Sequence, residues 1–126
     1  EMSASLVGSE MCIRDRNMLY GPGNDLVSAT ALTAAGAHMV LFSTGRGTPF
    51  GAPAPTLKIA TNSQLATKKK TWIDFNAGVV ADGERTLDEA GADLYRLVLD
   101  VASGKQTCAE KKGFREISIF KDGVVL

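Results

Sequence analysis

The chain has 126 residues and a mass of 13.3 kDa, which bounds it to one domain. Its 44% hydrophobic and 22% charged residues are ordinary globular composition and exclude low-complexity disorder and collagen-like repeats. Fourteen basic residues against 14 acidic ones lack the basic excess of a nucleic-acid binder, and no apolar run reaches the roughly 18 residues of a membrane span.

Glu1 to Arg16 has neither helical nor strand periodicity, and it lacks the basic and apolar regions of a signal peptide. Leu6 to Asp15 resembles the in-frame translation of a transposon-end adapter used in sequencing libraries. Residues 1–16 are therefore expected to be a non-native, disordered tail, and residues 17–126 the real domain, with natural sequence lost upstream. Of the two cysteines, Cys12 then has no natural role and Cys108 is a single thiol, too few for a disulfide framework.

Gly21-Pro22-Gly23-Asn24-Asp25 is a turn cluster that ends in two helix-capping residues. A helix is predicted over 25–35, with Gly36 as its C-terminal stop. His38 to Ser43 is a short apolar run that reads as a strand buried on both faces. Residues 44–55, rich in glycine and proline, form a loop. Thr56 to Thr61 reads as a second strand, and Asn62 can cap a short helix through Lys69. Trp72 to Phe75 is a third strand, closed by Asn76-Ala77-Gly78.

Thr86 is predicted to cap a helix over 87–102, with Glu89 completing a capping box. Leu87, Ala90, Leu94, Leu97, Val98 and Val101 give it one apolar stripe. Ser103-Gly104 ends it. Glu116 to Phe120 alternates like a half-buried strand, and Lys121-Asp122-Gly123 is a turn before Val124-Val125-Leu126. Strands that alternate with helices predict an α/β fold, a small Rossmann-like, mostly parallel sheet flanked by helices. Such sheets bind ligands at loops off the carboxyl ends of their strands. Here those loops are 44–51, 61–63 and 76–78.

Thr44-Gly45-Arg46-Gly47-Thr48 is the most informative loop. Its glycines admit close backbone approach, Arg46 offers a planar fork for a carboxylate or phosphate, and Thr44 and Thr48 add hydroxyls. It is either an anion cradle or a tight surface loop whose arginine pairs with an acid. The spacing is neither a dinucleotide fingerprint nor a P-loop. Asp74 can serve as base or ligand and Asn76 can bind hydroxyls, or both can brace a loop. Lys58 can reach a substrate anion or lie on an exposed edge. Asn62 is a helix cap or a hydroxyl ligand. His38 reads as structural, Met39 and Trp72 as core, and Lys68-Lys69-Lys70 as a solvated helix end. No His/Cys/carboxylate set has metal-ligand spacing, and no nucleophile–base pair is visible.

Gly21-Pro22-Gly23-Asn24-Asp25, Leu41 to Pro49, Pro55 to Asn62 and Asp74-Phe75-Asn76-Ala77-Gly78, in that order, resemble the altronate/galactarate dehydratase family. Val101-Ala102-Ser103-Gly104 and the region of Glu110 fit the same family. The resemblance covers Asn17 to Leu126 and only the C-terminal part of those enzymes. It implies a cytoplasmic hydro-lyase that converts a sugar acid to a 2-keto-3-deoxy acid with ferrous iron or another divalent metal. It also implies a missing N-terminal portion that carries much of the machinery, a possible homo-oligomer, and a fragment inactive alone. Only the Thr44–Thr48 loop and the Asp74–Gly78 loop can be carried over residue by residue. The metal ligands cannot be assigned. Related members eliminate sulfite from sulfolactate, so a sulfo-lyase subunit is an alternative, as is a non-catalytic anion-binding interaction domain.

Overall fold

A computed structural model describes Leu19 and residues 23–119. The expected adapter tail, Gly21-Pro22, and the C-terminal turn and apolar run of residues 120–126 lie outside the described residues.

Helix α1 spans Asp25–Ala34. The Asn24 side chain caps it by accepting from the Leu26 and Val27 amides. It ends where Gly36 takes φ +101°, with Gly36 N donating to Thr33 O and Ala37 N to Leu32 O, both at 3.0 Å. That is a Schellman stop, which needs the left-handed backbone that glycine allows. Strands β1 (Val40–Thr44), β2 (Thr56–Ala60) and β3 (Phe75–Asn76) form a three-stranded parallel sheet in the order β1-β2-β3. Between β2 and β3 runs α2 (Ser63–Lys68). After β3 come α3 (Gly78–Ala81), α4 (Leu87–Ala102) and α5 (Cys108–Lys111). The expected α/β class is the observed one. α1 buries Ala29 against Val40, Phe50 and Ala52, while Ala60, Leu65 and Ile73 make a second apolar cluster.

Four expectations are corrected. β1 is an edge strand rather than one buried on both faces, and Leu41 is 53% exposed. The third strand begins at Phe75, not Trp72, because the backbone turns at Trp72, whose N–H donates to Lys69 O. At the next rung the Asp74 carboxylate, not a strand carbonyl, accepts the Lys58 N–H at 2.8 Å. Trp72 is half-buried rather than core, with its ring beneath the ammonium groups of Lys69 (4.7 Å) and Lys112 (5.4 Å). Finally, residues 116–119 join no sheet. Glu116 N donates to Gly51 O, its carboxylate accepts from Gly51 N, and Ser118 N donates to the Thr30 hydroxyl. Backbone groups committed to a loop and a helix cannot also form a ladder.

Candidate functional site

The three loops off the carboxyl ends of the strands are tied into one rim. Thr61 N donates to Thr44 O at 3.1 Å, and the Asn62 amide donates to Gly45 O at 3.1 Å. The first loop is thereby joined to the second. Asn62 also caps α2 by accepting from Leu65 N at 2.8 Å, so the cap and a cross-loop donor are one residue. The Asn76 amide donates to Ser63 Oγ at 3.1 Å and its carbonyl accepts from Gly78 N at 3.0 Å, which joins the third loop. Ser63 in turn donates to the Asp82 carboxylate. Gly78 closes the seam by contact. A Cβ there would lie 2.3 Å from Ser63 N and 2.5 Å from Asn62 C, and backbone cannot yield to that.

Within the first loop, Thr44 Oγ1 accepts from Gly47 N at 2.9 Å, and Gly47 sits at φ +77°. Two lysines hold the loop from below. Lys69 Nζ donates to Arg46 O (3.0 Å) and Gly47 O (3.2 Å), and Lys58 Nζ donates to Thr48 O at 2.6 Å. The Arg46 side chain is exposed, and no carboxylate pairs with it among the described residues.

Lys58 is therefore not on an exposed edge. It lies on the central strand, 1% exposed, with the Phe114 ring 5.8 Å from its ammonium. Burial pulls its pKa below the usual lysine value, and Asp74 and Glu116 act in the opposite direction. Asp74 stands below the rim. One of its oxygens accepts from Lys58 N and the other from Cys108 N at 2.7 Å, so the carboxylate staples α5 to β2. Cys108 donates weakly to Ile73 O, and burial, followed by the Asp74 charge, pushes its thiol pKa up. Sequence reasoning missed Ser63, Lys69 and Asp82. Lys69 lay inside a charge run that reads as solvated, and nothing local marks the other two.

Two open concavities flank the rim. One, of about 320 Å³, is lined by Asn24, Asp25, Leu26, Thr48, Phe50 and Glu116. The other, of about 280 Å³, lies among Phe75, Asn76, Val79, Arg85, Ala90 and Asp93. Among the described residues no group of three or more His, Cys, Asp or Glu can hold a metal ion, so these residues do not by themselves fit a divalent metal. Nor, among them, is any helix long and apolar enough to cross a membrane.

Residues 7–125 match the family model described as D-galactarate/altronate dehydratase, C-terminal. The chain belongs to that family. It is 54% identical over 110 residues to an altronate dehydratase of Escherichia coli, a match covering 87% of this chain and 22% of the relative. It is 44% identical over 119 residues to an altronate dehydratase of Bacillus subtilis, covering 94% and 24%. With a galactarate dehydratase (L-threo-forming) of Escherichia coli it shares 39% over 115 residues, covering 87% and 22%. The chain thus spans less than a quarter of the length of these relatives. Those relatives are named for the dehydration of altronate or galactarate.

Proposed function

We propose that this chain is the C-terminal portion of a cytoplasmic hydro-lyase that dehydrates a sugar acid, altronate before galactarate, to a 2-keto-3-deoxy acid. The observation that carries the reading is the rim. Three loops are locked together at the carboxyl edge of a parallel sheet, where such folds bind ligands, and Arg46 stands on them with its guanidinium unclaimed by any described carboxylate. The relatives' names supply the substrate class.

Dehydration next to a carboxylate removes the α-proton, places negative charge on an enediolate, and expels a hydroxyl. Arg46 answers the second requirement with a bidentate fork. Lys58 and Lys69 hold its loop by taking the carbonyls of residues 46–48, and across a trans peptide the Thr48 N–H then points away from Lys69. Thr44, Gly45, Gly47 and Thr48 form the cradle, while Asn62 and Asn76 face the substrate hydroxyls only by exchanging the bonds that now join the loops. Asp74 is a staple rather than the base, since both oxygens are occupied by backbone N–H groups. Ferrous iron or another divalent metal would supply a Lewis acid for the departing hydroxyl, from ligands outside the described residues.

The test is a hybrid in which residues 17–126 replace the matching segment of the Escherichia coli altronate dehydratase. Arg46→Lys keeps the charge and loses the fork, and should lower kcat/KM on altronate by about 10²-fold with the unfolding midpoint unchanged. Unchanged turnover rejects the clamp. Release of sulfite from sulfolactate, without sugar-acid turnover, replaces the dehydratase reading with a sulfo-lyase.

A further inference from the structure

Helix α4 carries more apolar surface than the other described residues cover. Its 16 residues turn by about 100° each, and Leu87, Leu94, Leu97, Val98, Val101, Tyr95 and Leu99 then span an arc of about 200°, broken by Asp88 between Tyr95 and Leu99 at the end of the helix that follows the N-cap. One margin of the arc, with Ala90 and Val101, is buried against the domain. Along the rest Leu87 is 74% exposed, Tyr95 65% and Leu99 48%. The opposite side is charged, with Glu89, Asp93, Arg96 and Asp100, and Asp93 is paired to both Arg85 and Arg96. A surface helix needs an apolar stripe little wider than 100°, so the second seam is the pattern of a helix packed between two bodies.

We propose that the Leu87–Tyr95–Leu99 seam of α4 is the docking surface for the portion of polypeptide that the relatives have beyond the segment matched here. Two observations select that occupant over a second copy. More than three-quarters of each relative's length lies outside the match, so a large covalently attached body is available. The seam is also small. Three side chains on a helix about 24 Å long fall short of the roughly 1,200 Å² that a stable interface between separate chains buries. An attached neighbour needs less area, because tethering supplies an effective concentration of about millimolar. α4 then stands with the cavity at Asn76 on its Ala90–Asp93 side and the neighbour on its Tyr95 side. The inference rests on family membership and exposure, not on Arg46 as a clamp.

The test compares Leu87→Asp/Tyr95→Glu with Arg96→Gln on the charged side of the same helix. In the hybrid enzyme the double substitution should lower the thermal midpoint by several degrees and speed proteolytic release of the C-terminal segment, while Arg96→Gln changes neither. In the 126-residue chain, where the seam already meets water, the double substitution should leave the midpoint unshifted. Equal shifts in both proteins, or none in the hybrid, overturn the proposal. So does a 126-residue chain that sediments as a dimer and becomes monomeric on substitution, which assigns the seam to a second copy. If the hybrid does not fold, the same substitutions at the matching helix of the full-length Escherichia coli enzyme give the same decision. Loss of Arg46 function leaves all of these outcomes unchanged.

Discussion

Lys58 shows how a single side chain can set the height of a loop and carry a pH signature. Its ammonium is buried on the central strand and spends a hydrogen bond on Thr48 O, while Asp74, Glu116, Cys108 and Lys112 supply the surrounding charge. Burial is the largest influence and lowers its pKa, so between the folded value and 10.5 the unfolded chain binds a proton that the folded chain does not. Stability from this residue therefore rises with pH across that window. Cys108 has the opposite sign. Its pKa is raised above 9.0, so its contribution is complete below 9.0 and is lost as pH climbs through the folded value. In the native chain the two trends oppose each other above pH 9. Lys58→Met removes the rising one, and the thermal midpoint of the variant should fall more steeply than that of the native chain between pH 9 and 10.5. A parallel pair of curves would show that Lys58 is not proton-depleted by folding.

Among the elements, α4 is both the best specified and the least covered. Thr86 Oγ1 accepts from Glu89 N at 3.3 Å, and the Glu89 carboxylate accepts from Thr86 N at 2.9 Å, completing the capping box expected from the sequence. Its last turn closes at Gly104 with φ +105°, as Lys105 N donates to Asp100 O and Gly104 N to Val101 O. Because little of α4 is buried, its ends carry a large share of its stability. Thr86→Ala should cost about 1 kcal/mol, read as a shift of the urea midpoint, and amide exchange in the first turn of α4 should accelerate before the rest of the helix. α5 repeats the same device at Thr107 and Glu110, but on a single turn with no apolar period to announce it. α3 likewise has one turn and no side-chain cap. Both were invisible to periodicity for that reason.

For the whole molecule, size governs behaviour. A chain of 126 residues buries only about two-thirds of its unfolded surface, and among the described residues there are just three strands, with β1 at a sheet edge, and a helix with large apolar side chains exposed. The rim is assembled within the described residues, yet they build no metal site, and both oxygens of Asp74 are taken by backbone N–H groups. The 126-residue chain alone should therefore show no turnover of altronate or galactarate, with or without added ferrous iron, by assay of the 2-keto-3-deoxy product. Measurable dehydration would mean that a complete catalytic set lies inside this segment.

The sequence by itself determined what is local. Asn24, Asn62 and Thr86 cap helices where their side chains dictate, Gly36 and Gly104 stop them, and the runs at 38–43 and 56–61 hold the parallel strands β1 and β2. The four motifs at 21–25, 41–49, 55–62 and 74–78, in that order, sufficed for the family. Tertiary structure alone decided the long-range questions. Whether Lys58 faces water or a carbonyl, and whether Asp74 is a base or a staple, depends on partners 10 and 34 residues away in the chain. The same holds for Glu116 and Ser118, which pair with Gly51 and Thr30 instead of joining the sheet. Capping and turn formation depend on neighbours within a few residues and are written in the local sequence. The energy of a buried charge depends on whatever the fold brings to it, and only packing settles that.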